Sequence, residues 1–166
     1  YDTSDPTLVQ DDYFRYKEQI YALYADYSRE FSERFSMQLG LRMEHTRTTG
    51  ISEAKDTEDK HDYTRLFPTV YLLYSPTDGH ALNFSFSNRI SRPSQNMVNP
   101  FPFYQNKYTY ACGREDLKPS YTYNAELGYT LKNNFNVSAY YSYSDDVFFQ
   151  VVDLDAETNV TSFLWE

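Results

Sequence analysis

The sequence predicts an all-β chain: an antiparallel meander of about seven long strands forming a section of a transmembrane β-barrel. Three observations predict it. Apolar and polar residues alternate over long runs, the period-2 signal of a strand with two unlike faces. Short and long connections alternate along the chain. Aromatic residues recur beside the short connections.

The alternation is clearest over residues 35–44, where Phe35, Met37, Leu39, Leu41 and Met43 share one face. Ser36, Gln38, Gly40, Arg42 and Glu44 share the other. Leu82, Phe84, Phe86 and Ile90 likewise oppose Asn83, Ser85, Ser87 and Arg89. Tyr121, Tyr123, Ala125, Leu127, Tyr129 and Leu131 oppose Thr122, Asn124, Glu126, Gly128 and Thr130. A fourth ribbon sets Phe135, Val137, Ala139, Tyr141 and Tyr143 against Asn136, Ser138, Ser142 and Ser144. No helical period competes. Strands are expected at 13–30, 34–50, 62–76, 80–92, 120–133, 135–152 and 159–166.

Between the first two strands lies a tight turn near Ser32 and Glu33. Pro76-Thr77-Asp78-Gly79 forms the next short turn, since Pro and Asp-Gly favour turns. Asn133-Asn134 suits a two-residue hairpin. The intervening connections, 51–61, 93–119 and 153–158, are longer. Short turns at one end and long loops at the other characterise outer-membrane barrels, with the turns periplasmic and the loops extracellular. Tyr27, Phe35, Tyr74, Leu82, Tyr129 and Phe135 flank the short turns. They read as an interfacial girdle, although cross-strand aromatic pairing has the same appearance.

Composition agrees once the alternation is recognised. The 166 residues include 18 Tyr and 12 Phe and carry a net charge of −9, with a mean hydropathy of −0.72. So many aromatics exclude a disordered chain. A barrel strand is apolar only at every second residue, so its average hydropathy stays low. The acidic balance argues against a nucleic-acid partner. No apolar run reaches the ~18 residues of a spanning helix. Cys112 has no partner for an internal disulfide. Arg42, Glu44, Arg89 and Glu126 fall opposite the apolar faces, as expected of side chains lining a wet lumen. Sheets with one solvated side show the same sorting, but strands this long exceed the ~5–6 residues usual in a sandwich.

The fourth strand and its loop carry a resemblance. Ser87-Asn88-Arg89-Ile90-Ser91-Arg92-Pro93, followed by Asn99-Pro100-Phe101, resembles the strand-to-loop motif of TonB-dependent outer-membrane receptors common in Bacteroidetes. Gly113-Arg114-Glu115-Asp116-Leu117-Lys118-Pro119 is similar to that family's Gly-Asn-Pro-x-Leu-x-Pro-Glu element, with Arg114, Glu115 and Ser120 as departures. Phe14-x-Tyr16-x-Glu18, Gly40-Leu41-Arg42-x-Glu44 and Leu66-Phe67-Pro68-x-Val70 match in order. The resemblance implies a barrel of about twenty-two strands closed by a plug domain, importing a nutrient such as a glycan, siderophore or peptide. It also implies a TonB energy-coupling partner acting through the plug, lipid around the wall, and in some cases a surface lipoprotein. Residues 1–166 are then one partial barrel domain. Tyr1 at the start and the apolar run ending at Trp165-Glu166 are expected to be cuts in a longer polypeptide, with plug and remaining barrel elsewhere.

Phe101, Phe103, Tyr104, Tyr108 and Tyr110 make 93–119 the candidate substrate loop, because aromatic rings stack on sugars or siderophores. Packing of those rings against the barrel rim is the plainer alternative. Arg89 and Arg92 are placed in the lumen, bonded to carboxylates such as Glu126, or else holding an anionic substrate or the plug. The carboxylates of 53–62 and of 153–157 lack the Gly-centred spacing of a calcium loop and read as solvated surface. His45, His61 and His80 have no ligand spacing, and no catalytic motif or cofactor loop is present, so no enzyme is expected. The competing reading is a β-sandwich module binding carbohydrate or peptide at the cell surface; a small outer-membrane barrel with an enzyme site ranks third. With open edges and a bare apolar face, the isolated chain is expected to self-associate or curl into a closed or sandwich-like sheet.

Overall fold

A computed structural model describes residues 14–52, 57–132, 134–156 and 159–166. Six strands form one antiparallel sheet in the order β1-β2-β3-β4-β7-β8. They are β1 (Phe14–Ser32), β2 (Phe35–Ser52), β3 (Thr57–Tyr74), β4 (His80–Ser91), β7 (Ser120–Leu131) and β8 (Phe135–Asp145). Between β4 and β7 the chain forms a one-turn helix α1 (Gln95–Val98) and a hairpin of β5 (Phe103–Asn106) and β6 (Thr109–Cys112). After β8 come β9 (Gln150–Asp155) and β10 (Val160–Trp165). These last four strands form a second sheet, ordered β5-β6-β10-β9.

Six of the seven expected strands thus build the meander, and the seventh does not. The expected strand at 135–152 divides, because Asp146 adopts a left-handed backbone (φ +51°) that turns the chain out of the sheet. Residues 159–166 then pair with β9 and, in parallel, with β6: Thr161 faces Thr109 and Leu164 faces Cys112. The expected 51–61 loop is also shorter, since Ser52 still faces Thr57; residues 53–56 lie outside the described set. Leu131 faces Phe135, so the last hairpin connection is 132–134 rather than two residues. Lys132 has a positive φ of 49°, which closes that tight loop.

The register sorts the faces. Across the sheet, Phe35 faces Tyr74, Tyr74 faces Leu82, Leu82 faces Tyr129 and Tyr129 faces Val137. This aromatic-rich row lies beside the short turns, with Phe35 and Tyr74 edge-to-face at 6.4 Å. Rows through Met37, Leu39, Leu41 and Met43 continue the apolar face. It ends where His45 faces Thr64 and Arg47 faces Asp62, the latter an ion pair at 3.0 Å. The apolar belt therefore spans residues 35–43 of β2, close to the ~9–11 residues a tilted strand needs to cross a bilayer. Leu23, Leu66 and Tyr141 on this face are 65%, 54% and 66% exposed. No layer of the described chain covers them. At the short-turn end the belt is flush with the turns, whereas at the other end β2 and β3 run on to Ser52 and Thr57.

Candidate functional site

The opposite, polar face carries the chemistry. One row crosses four strands: Asp26 faces Gly40, Gly40 faces Thr69, and Thr69 faces Ser87. That row is also where the β3–β4 ladder stops. Pro68, the next residue of β3, has no N–H to donate, and a proline inside a ladder removes a bond. Beyond it, β4 remains bonded to β7 as far as Ser91 but no longer to β3. The β4–β7 ribbon is released and crosses the polar face of β2 and β3.

This crossing inverts part of the expected sorting. Tyr121 belongs to the alternate set that lower down carries Leu127 and Tyr129, yet it lies buried on the polar side, stacked on Phe67 at 6.4 Å. Arg42 covers the Phe67 ring at 4.7 Å and Arg65 covers Tyr121 at 4.8 Å, a four-layer cation–π stack. Beside it Arg92 reaches back to the first two strands. It donates to Glu44 at 2.6 Å and to Thr46 Oγ1 at 3.2 Å, and it lies 3.4 Å from Glu18. Arg42 approaches the second Glu44 oxygen at 3.3 Å. The Glu44 side chain retains 7% exposure and Thr46 none. A carboxylate so enclosed needs both guanidinium groups to offset its lost hydration.

Arg92 is therefore hydrogen-bonded to Glu44 and ion-paired with Glu18, not with Glu126, which lies on the polar face between Ser85 and Tyr140. Arg89 makes no ion pair or side-chain hydrogen bond among the described residues, and it lies on the wall of a cavity of about 420 Å³ at the seam. Arg42 and Arg89 line this cavity together with Tyr24, Asp26 and Tyr71. Sequence reading missed Asp26, Tyr24 and Tyr71, because they become neighbours of Arg89 only through pairing across four strands.

The loop aromatics are not gathered into one cluster. Phe103 faces Ala111, which faces Phe163, which faces Val152, so these share one face of the second sheet. Tyr104 and Tyr110 pair on the other face with ring centroids 5.5 Å apart. Tyr108 sits at the hairpin tip under Lys107 at 5.6 Å, and Phe101 precedes the hairpin. The hairpin root is anchored by backbone bonds from Gly113 to Asn99 O and from Arg114 to Met97 O, both 2.8 Å. A Cβ at Gly113 would collide with these same carbonyls, so this approach requires glycine. Of the acidic 53–62 segment, Asp62 pairs with Arg47 and with His45 at 3.3 Å, while 53–56 lie outside the described residues. Among the described residues no group of His, Cys, Asp and Glu is arranged to hold a metal.

No curated protein matches the sequence. The fold is similar to the crystal structure of the siderophore receptor PirA from Pseudomonas aeruginosa, with 13% identity and a TM-score of 0.50. That likeness covers 90% of this chain but 37% of the receptor, and at this identity it concerns the fold alone. The model of the outer membrane protein beta-barrel family matches residues 1–166. A bare apolar belt of bilayer height, a meander and a family match along the whole sequence agree: the chain belongs to the outer membrane protein beta-barrel family.

Proposed function

We propose that the chain is part of the barrel wall of a TonB-dependent receptor that imports a nutrient, and that its role is transport rather than catalysis. The single observation that carries this reading is the asymmetry of the apolar belt. The belt stops at the short turns on one side, whereas strands, hairpin and second sheet extend well past it on the other. In an outer-membrane barrel the flush end is periplasmic and the projecting end extracellular. The polar face then lines the lumen, and the second sheet stands at the outer mouth, where nutrient and any surface lipoprotein would arrive. The likeness to a siderophore receptor supports this architecture. Plug and TonB contacts belong to the receptor as a whole, of which this domain is the wall segment. The β-sandwich alternative is disfavoured because it needs a second layer over the apolar face, which stands exposed.

Two measurements test the reading. An epitope inserted between Asn106 and Lys107 of the full-length receptor should be labelled on intact cells, and one inserted at Asp78 only after permeabilisation. A deletion strain should lose growth on one of a panel of siderophores, glycans and peptides, and a strain without TonB should lose the same growth. Reversed labelling sinks the orientation; growth independent of TonB sinks the transport mechanism. As an isolated piece, the chain leaves β1 and β8 each paired on one side only among the described residues. It should associate through those edges. A monodisperse monomer in light scattering without detergent is the contrary result.

A further inference from the structure

We propose that the outer face of β1, β2 and β3, just beyond the apolar belt, holds the phosphate-bearing headgroup of an outer-leaflet lipid, met by Lys17, Arg47 and Lys60. This rests on the orientation in which the long-loop end is extracellular. The face assignment comes from one continuous register. Tyr21 faces His45, which faces Thr64; Gln19 faces Arg47, which faces Asp62; Lys17 faces Thr49, which faces Lys60. These three rows follow the apolar row of Leu23, Met43 and Leu66 at intervals of two residues, so their side chains leave the same face of the sheet. Contacts between the strands agree. The Tyr21 and His45 rings lie 6.3 Å apart, and Asp62 lies 3.3 Å from His45 and 3.0 Å from Arg47.

Height and charge name the occupant. At ~3.3 Å per residue and a tilt near 45°, the His45 and Arg47 rows stand roughly 5 and 9 Å beyond Met43. The polar headgroup layer occupies about 5–8 Å on each side of the hydrocarbon core. Lys17 and Lys60 stand one row higher and reach down to it on flexible stems. In these rows Lys17, Arg47 and Lys60 face Asp62 as the sole carboxylate, a positive surplus in a chain of net charge −9. The surplus is local, since β8 ends its outer face in Tyr141, Tyr143 and Asp145, with no cation among them. Asp62 engages Arg47 through Nε. A guanidinium carries five N–H donors, so the fork retains donors for a phosphate oxygen. Tyr21, 58% exposed, stands between belt and cations, where amphipathic rings sit at a membrane interface. Continuity with the belt decides for a lipid over a free anion. A molecule whose acyl chains lie on Leu23, Met43 and Leu66 brings its headgroup to these rows, whereas a free anion meets the cations alone.

The test uses the full-length receptor in uncharged detergent, with bound lipid followed by native mass spectrometry. The probes are lipid A, a phosphorylated glycolipid, its dephosphorylated form, and inorganic phosphate as a soluble competitor. Lipid A should be retained, and removal of its phosphates should abolish retention. Lys17→Gln, Arg47→Gln and Lys60→Gln should each weaken it about fivefold, the worth of one basic residue at a charged membrane surface. Asp62→Asn should strengthen it, because Arg47 loses an internal competitor; a merely structural Arg47–Asp62 pair gives no such gain. Lys107→Gln, at the hairpin tip, should leave retention unchanged. Heat-modifiable migration of each variant reports barrel integrity separately. Retention that ignores the phosphates, survives all three substitutions, or falls equally in Lys107→Gln overturns the site and leaves the barrel standing. Displacement by inorganic phosphate at equal phosphate concentration assigns the cations to a soluble anion and overturns the lipid. Labelling at Asn106 only after permeabilisation overturns the orientation, and the outer leaflet with it. A wild-type receptor that never inserts overturns the barrel reading itself.

Discussion

The two sheets of this protein are built on opposite terms. The six-stranded meander pairs its strands antiparallel in chain order, with α1, β5 and β6 inserted between β4 and β7, and it sorts apolar from polar residues along β2, β3, β8 and β7 below Tyr121. The four-stranded sheet joins β6 to β10 in parallel, with β7, β8 and β9 intervening in sequence. The first carries a belt of bilayer height; the second carries Phe103, Phe163 and Val152 on one face and a Tyr104–Tyr110 pair on the other. The difference separates two kinds of constraint. A wall in hydrocarbon has to satisfy its backbone groups within the sheet, which favours pairing between adjacent strands of a meander. A structure standing in water is free to close by distant pairing.

The seam lies between these two regimes, and the largest effects are expected there. Arg92→Ala strands the enclosed Glu44 carboxylate. Removing one partner of a buried pair costs about 3–5 kcal/mol, with the low end expected because Arg92 keeps 19% exposure. Unfolding of the reconstituted receptor in denaturant measures it; a loss under 1 kcal/mol would mean that the cation–π stack alone holds the ribbon across the seam. Next comes Leu39→Arg, which places a charge in the middle of the apolar belt at a cost of about 2–4 kcal/mol. Outer-membrane yield and heat-modifiability should fall, while Gln38→Arg on the polar face is tolerated. Equal behaviour of the two variants would dissolve the distinction between the faces.

Gly113→Ala affects the second region alone. Overpacking against the Met97 and Asn99 carbonyls costs about 1–3 kcal/mol. It should speed proteolysis within 93–119 without changing insertion. The smallest effect concerns Arg114 and Asp116, paired at 2.5 and 3.0 Å near the end of the loop. The Arg114 guanidinium, donating to Asp116, holds that carboxyl below its usual range. Because the folded-state pKa is depressed, the pair's contribution is complete above the ordinary carboxylate range and disappears as pH falls through the lowered value. Exposure and screening keep it slight. Loop proteolysis should rise modestly on acidification in the wild type and less in Asp116→Asn.

How much was legible in the sequence follows the same division. The alternation at 35–44 fixes which residues share a face, and Pro76 to Gly79 marks a turn, because both signals reside in neighbouring residues. Arg89 and Arg92 were singled out early, but their different fates were not. Arg92 meets Glu44 across 48 residues of sequence, and Arg89 meets no ion-pair partner among the described residues, beyond the point where the β3–β4 ladder ends at Thr69. Tyr121 was misplaced for the same reason: parity predicts a face only while the sheet remains continuous.

By itself, then, the sequence determined a meander of two-sided strands, the location of its tight turns, and the polar and apolar faces of its long strands. Those follow from strand periodicity and turn chemistry, which act over a few residues. Only the tertiary structure decided that 159–166 would leave the wall to pair with β6. The same holds for the loop aromatics, which divide between two faces, and for Asp26 and Arg89, which come to share a cavity. Those outcomes depend on where one ladder ends and which distant edges remain free to bond, and neither is encoded in any local pattern.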